Sequence, residues 1–269
     1  MKLNILPARA GYLWVKSGFA LFAYKPAAFI GFFTSFMLML ILLGTIPYVG
    51  NYLSMLAFPA LTLGMMAVGN ECVKLKNNLI LPMTPPPMLM AWMTVRRSLK
   101  PLLHMGVWFA FGFAFVLLIG ASLDGGEFAK MYMQGGGISQ ELVQKEGFKN
   151  AVLLTTLLYF PLAAIFWFAP ALMNWNKMSL SKSLFFSAYA VYKNWRAFGV
   201  FVLVWAGVFS VISGVVLLIA SLLLGGGAAA FLLMPLMVLL STIFMASTFP
   251  TFVDCFQHKP IETQPKTNL

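Results

Sequence analysis

Acidic side chains are scarce in this sequence, seven Asp and Glu in 269 residues, and histidine and cysteine are scarcer, two of each. The shortage bounds the chemistry. With His104 and His258 as the histidines, and with no HExxH or CxxC pattern, no phosphate-binding glycine loop and no GxSxG elbow, the chain offers neither a metal-ligand set nor a nucleophile with its base. We therefore expect a protein that is not an enzyme, with no catalytic residue, metal or cofactor. Cys72 and Cys255 allow at most one disulfide. Both fall at span ends expected to face the cytoplasm, where thiols stay reduced, so they read as small apolar filler. Charged residues of either sign make up 9% of the chain against 61% apolar, a balance that no soluble core absorbs.

What the sequence does have is long apolar runs, each placed after an amphipathic segment. On a helical wheel Trp14, Val15, Gly18, Phe19, Leu21 and Phe22 share one arc, while Arg9, Lys16, Ser17, Ala20 and Tyr24 lie opposite. Such a helix is expected to lie in the membrane interface. It stops at Lys25-Pro26, where proline lacks an N–H and pushes the residue before it out of the α region. The uncharged run 27–48 then extends roughly 30 Å at about 1.5 Å per residue, enough to cross a bilayer. No short basic region leads into a brief apolar run with a small-residue cleavage site, so this first run is expected to stay as an uncleaved anchor.

The arrangement repeats. Amphipathic stripes through Met88, Trp92, Val95 and Leu99, and through Leu180, Leu184, Ala188, Val191 and Trp195, precede two further pairs of apolar runs. The predicted fold is all-α, a polytopic integral membrane protein with six transmembrane helices in three hairpins, each preceded by an interfacial amphipathic helix. One membrane domain covers 1–256, with spans at about 27–48, 51–73, 101–122, 151–174, 197–224 and 230–253, and a mobile cytoplasmic tail covers 257–269. Lys25, Lys100 and Lys193 occupy equivalent junctions, with Gly31, Gly106 and Gly199 each six residues on. Pro59, Pro161 and Pro235 are expected to interrupt the even-numbered spans, and Phe58-Pro59-Ala60-Leu61 is echoed by Ala169-Pro170-Ala171-Leu172. The polar loop 123–150 reads as a lid or a connection, with a short helix after Ser139.

Of the 18 basic residues, all but Lys130, Lys145 and Lys149 fall on the side that holds both termini. By the positive-inside rule that side is the cytoplasm. Trp14, Lys25, Trp92, Arg96, Arg97, Lys100, Lys193, Trp195 and Arg196 are the expected interfacial and headgroup anchors. Their partners would be anionic lipid headgroups, and a protein partner in the membrane is a further possibility. Nucleic acid is not expected, because this positive charge lies against lipid.

No predicted span carries an ionisable residue at its centre, the place where ion and proton pathways keep one. Glu71, Asn174 and Asp254 instead sit at the cytoplasmic ends of the even-numbered spans, and His104 near the start of the third. They form a candidate polar vestibule, or else Glu71 and Asp254 pair locally with neighbouring bases.

Several of these residues carry a resemblance. Leu6-Pro7-Ala8-Arg9, Gly11-Tyr12-Leu13-Trp14, Gly18 to Phe22, Lys25-Pro26, Ala169-Pro170-Ala171-Leu172 and Lys193-Asn194-Trp195 resemble a group of uncharacterised six-span proteobacterial inner-membrane proteins. The pattern is also similar to YciC-type proteins and to the membrane domain attached to some glycerophosphodiester phosphodiesterases. The resemblance implies an inner-membrane location and no established activity; the soluble barrel of those phosphodiesterases has no match here. The expected role is non-enzymatic, in envelope or lipid homeostasis or as an accessory of a membrane assembly. The alternative is a transporter or permease for a lipid or small apolar solute.

Overall fold

The computed structural model describes residues 2–46, 50–77, 85–134, 139–224 and 226–256, and among them every regular element is an α-helix. The tail expected at 257–269 lies outside the described residues. Helix α1 (Arg9–Tyr24) is separated from α2 (Pro26–Gly44) by Lys25 alone. Pro26 has no N–H to leave unpaired in a first turn, and it holds Lys25 at φ −144° and ψ 65°, so the chain changes direction without a loop. Then come α3 (Gly50–Leu56), α4 (Phe58–Lys76) and α5 (Pro87–Arg97), and after Ser98 alone α6 (Leu99–Asp124). The polar stretch holds α7 (Glu127–Gln134) and α8 (Gln140–Gln144). Helices α9 (Glu146–Trp167), α10 (Ala169–Trp175) and α11 (Leu180–Lys193) follow, and Asn194 alone separates α11 from α12 (Trp195–Leu224). The described chain closes with α13 (Gly226–Ala246) and α14 (Thr248–Phe256).

Among the described residues five stretches are long and apolar enough to cross a membrane: Pro26–Gly44, Leu99–Asp124, Glu146–Trp175, Trp195–Leu223 and Phe231–Phe256. The expected span at 51–73 falls on α3 and α4, which break at Ala57, and α4 carries Glu71, Lys74 and Lys76. Those charges keep it below the others in apolar character.

Pro59 marks a break as expected, but the other two prolines act differently. Pro161 and Pro235 lie inside α9 and α13, which continue through them. The breaks fall instead at Ala57, Phe168 and Ser247, two or three residues before Pro59, Pro170 and Pro250. In each case the proline sits in the first turn of the next helix, where its missing N–H removes no helical bond. The junctions between amphipathic helix and span likewise fall at Lys25, Ser98 and Asn194; Lys100 lies inside α6 and Lys193 ends α11.

The chain divides into two compact units, one of 1–36, 62–96 and 190–269, the other of 37–61 and 97–189. In the first, α1 packs on α12, α13 and α14. Trp14 is fully buried between Phe198 and Phe201, with ring centroids 5.1 and 6.1 Å away, and Phe19 stacks on Trp205 at 5.5 Å. The apolar arc of α1 is thus covered by protein, where the sequence pattern pointed to lipid. Gly11 and Gly18 permit this approach, since a side chain there would strike the backbone at Ala197 and at Ser247. Trp92 of α5 packs against Phe32 and Phe36 of α2 and donates its indole N–H to Ser35 Oγ at 3.2 Å.

In the second unit α6 and α9 run antiparallel, and the register reads off the contacts. Gly120 faces Thr155, Gly112 faces Leu162, Phe109 meets Phe166 edge-on at 5.2 Å, and Ser98 meets Asn174. Phe58 stacks on Phe109 at 5.0 Å, and Gly106 lets α3 approach at Leu56. Asp124 ends α6 by accepting the N–H groups of Gly126 and Phe128 at 2.8 and 2.7 Å, while Gly125 and Gly126 take the positive φ values, 68° and 88°, that the turn requires. Ser139 caps α8 by accepting the Leu142 N–H, so the short helix expected there is present.

The outward faces of the long helices are apolar. Phe111, Phe115 and Leu118 on α6 are 68, 63 and 69% exposed, and Leu203 and Leu222 on α12 are 73 and 77% exposed. Leaving one such side chain in water forgoes about 1.5–3 kcal/mol. A set of this size fits contact with hydrocarbon, and the protein is a multi-pass membrane protein.

Candidate functional site

A polar arrangement in the first unit gathers the two ends of the described chain onto Asn194. Its Oδ1 accepts the Leu6 N–H at 2.8 Å, and its Nδ2 reaches the carbonyl oxygens of Asn4 at 3.1 Å and Ala190 at 3.0 Å and the Sγ of Cys255 at 3.8 Å. Asn194 is 1% exposed. Asn4 in turn donates its backbone N–H to the Cys255 carbonyl and its side-chain amide to the Asp254 carbonyl, both at 2.9 Å. The Asp254 carboxylate accepts the Trp14 indole N–H at 2.8 Å. The segment before α1, the break between α11 and α12, and the end of α14 are therefore tied by one hydrogen-bonded group.

Local sequence makes this possible. Asn194 is a one-residue break whose backbone N–H and side-chain amide both reach the Ala190 carbonyl at the end of α11, while α12 starts immediately after it. The buried positions of α11 are Ser183, Ser187 and Ala190, and Asn194 continues that row. The apolar stripe in the sequence, Leu180, Leu184 and Val191, lies beside this row and drew attention away from it. Ser187 closes another break: its Oγ accepts the Phe168 N–H and donates to the Ala164 carbonyl, both at 2.9 Å.

The four vestibule candidates are divided between the units. Glu71 and Asp254 belong to the first, His104 and Asn174 to the second. Glu71 is buried, and its Oε1 takes the Lys74 Nζ at 2.7 Å and the Asn70 amide at 3.1 Å, a local pair one helical turn long. His104 is exposed, with the Trp108 indole N–H at 3.4 Å from its Nε2, and Asn174 donates to Ser98 Oγ. Each of these polar groups has its own neighbouring partner. Among the described residues no three His, Cys, Asp or Glu side chains converge as a metal site would need. Both cysteines are buried free thiols.

The expected anchors also separate. Trp14, expected at the headgroups, is enclosed by α12 and held by Asp254, because Gly11 and Gly18 let α1 seat deeply. Trp92 packs on α2 as described above. Trp195 is 63% exposed, with the Arg196 guanidinium 5.4 Å over its ring, and Lys25 lies 6.0 Å over Tyr24. These stacked cation–aromatic pairs are amphipathic in the way an interface requires. Arg96, Arg97 and Lys100 are exposed around Ser98.

No family model matches the chain, so the expected likeness to YciC-type proteins and to the membrane domain of glycerophosphodiester phosphodiesterases gains no support. No solved structure matches it. A probable inner membrane protein of Burkholderia thailandensis is 31% identical over 263 residues, covering 95% of this chain and 94% of that protein.

Proposed function

The chain belongs to the same family as that probable inner membrane protein, and on this premise we propose that it is a six-span inner-membrane protein with both termini in the cytoplasm. Its role is non-enzymatic, in envelope or lipid homeostasis or as an accessory of a membrane assembly. One observation carries the topology. Asn4 is bonded to Asp254 and Cys255, so the two ends of the described chain lie on one side of the bilayer. The chain then crosses an even number of times between them. Five membrane-capable stretches make an odd count, and the pair α3–α4 supplies the return crossing, with Glu71 neutralised by Lys74 near its end. The reading is of three hairpins, each behind an amphipathic helix and a one-residue break, and the basic residues at those breaks favour a cytoplasmic side for them.

The absence of an enzyme role in this proposal is supported by how the polar groups are used. Asp254 holds an indole, Glu71 holds a lysine and Asn194 holds backbone. The alternative, a transporter or permease for a lipid or apolar solute, draws on the breaks at Ala57, Phe168 and Ser247. At Phe168, however, Ser187 takes the N–H that the break releases, so it does not face a pathway.

The test is native mass spectrometry of the protein extracted in mild detergent, with lipid analysis of a strain lacking it. A stoichiometric second protein or a retained lipid class, with altered lipid composition in the deletion strain, is the expected result. A lone, lipid-free protein and an unchanged envelope would remove the proposal; solute uptake into proteoliposomes that depends on the protein would replace it with the alternative.

A further inference from the structure

The second unit keeps all its acids at one end, with three of its lysines, and bases alone at the other. Arg97, Lys100, Lys177 and Lys182 lie at one end and are all exposed. The Ser98–Asn174 hydrogen bond ties the start of α6, with Arg97 and Lys100 on either side of Ser98, to the end of α10, and Lys177 and Lys182 follow in the turn after α10 and the first turn of α11. Every acid of this unit, Asp124, Glu127, Glu141 and Glu146, lies beyond the far end of α6 or at the start of α9. Helix α6 is 26 residues long, so the two ends are separated by roughly 39 Å at about 1.5 Å per residue. That is several times the screening length of about 8 Å at physiological salt. None of the four cations has an ion pair among the described residues.

Three of their positions are also unfavourable for the protein by itself. Lys177 has φ 54°, the left-handed conformation that ends α10 and that glycine would adopt without strain. Lys182 and Lys100 stand in the first turns of α11 and α6, where the helix dipole repels a cation, and neither turn contains an acid. Three of these cations stand against local preference, Arg97 ends α5 where the dipole favours it, and all four lack a protein counter-charge among the described residues that an external anion would supply. The end of a membrane-spanning helix pair presents them to headgroups.

We propose that Arg97, Lys100, Lys177 and Lys182 form a binding site for the phosphate of an anionic phospholipid headgroup. It rests on the reading above in one respect, that this end of the spans lies at headgroup level. Arg97 suits two phosphate oxygens at once, and the lysines add point charge around it.

The test titrates the full-length protein in mild detergent with phosphatidylglycerol or phosphatidylcholine and reads bound lipid by native mass spectrometry. Phosphatidylglycerol is expected to be retained over phosphatidylcholine, and each of R97Q, K100Q, K177Q and K182Q to weaken it about fivefold, from roughly 1 kcal/mol per cation near a surface. The triple variant K130Q/K145Q/K149Q, at the other end, is expected to bind as the unaltered protein does. K177G removes the cation while relieving the left-handed strain, so its loss of lipid does not come from misfolding. Equal retention of the two lipids, unaltered binding by the four glutamine variants, or an equal loss in the triple variant would overturn the site. Tight binding of inorganic phosphate without preference for phosphatidylglycerol would assign it to free phosphate instead. Aqueous maleimide labelling of K100C and K177C separates the two readings: failure to label from the headgroup side would sink the membrane placement, whereas labelling without lipid retention would sink this site alone.

Discussion

Asp254 shows how one side chain can look functional in sequence and prove structural in place. Its carboxylate accepts the Trp14 indole N–H, and Trp14 is fully buried, so removing the acceptor strands a donor where water does not reach. Asp254→Ala should cost about 1–3 kcal/mol, the usual penalty for an orphaned buried polar group. Asp254→Asn keeps an oxygen in place and should be milder, and the double change of Asp254→Ala with Trp14→Phe should recover part of the loss by removing donor and acceptor together. Thermal unfolding in detergent, followed by loss of monodisperse protein, checks all three. If Asp254→Asn were as damaging as Asp254→Ala, the negative charge itself would matter and the structural account would be wrong. Asn194→Ala should be at least as damaging, because it frees the Leu6 N–H and the Asn4 carbonyl together. The sequence contained this residue in Lys193-Asn194-Trp195, yet nothing in spacing linked it to Leu6, 188 positions away; only the folded chain brings them together.

At the scale of helices, the three glycines placed alike after their junction lysines have different surroundings. A Cβ at Gly106 would meet the backbone of Leu56, and one at Gly31 would meet the Met88 sulfur at 2.7 Å, whereas at Gly199 nothing lies within 4 Å. Gly106→Ala should force α3 away from α6 and destabilise the protein by about 1–3 kcal/mol, as overpacking does. Gly31→Ala should be milder, because a methionine side chain bends where a backbone does not. Gly199→Ala should be neutral or gain up to about 1 kcal/mol from helix propensity. The ranking is read from midpoint temperatures of the three variants, and a Gly199→Ala as harmful as Gly106→Ala would mean that α12 has a partner there. The same elements explain what the sequence could reveal. Long apolar runs are legible from composition: of the six expected spans, five fall on stretches that are membrane-capable among the described residues. Breaks are another matter: Pro161 and Pro235 looked like interruptions, but proline is tolerated within long helices when neighbouring packing compensates. Pro59, Pro170 and Pro250 mark the real breaks because each sits in a first turn, a position defined by the preceding residue leaving the helix. Placing α1 on protein was not legible either, since one apolar arc suits lipid and α12 equally.

For the whole molecule, the question is whether α3 and α4 complete a crossing. In the proposed topology the bond between Asn4 and Cys255 goes with an even number of passages between them, and α3–α4 is the described segment that would make the sixth. Single cysteines at Thr45, Lys76 and Glu141 convert this into a labelling pattern in intact spheroplasts. The native Cys72 and Cys255 are buried and should react with a membrane-impermeant maleimide only after denaturation, so they give little background. With six crossings and cytoplasmic termini, Thr45→Cys and Glu141→Cys label from outside, and Lys76→Cys labels only after the membrane is opened. Labelling of Lys76→Cys together with Thr45→Cys from outside would mean that α3–α4 stays on that side. The bond between residue 4 and residue 255 would then have to break in the bilayer, and the threefold arrangement of amphipathic helix, break and hairpin would lose its first member.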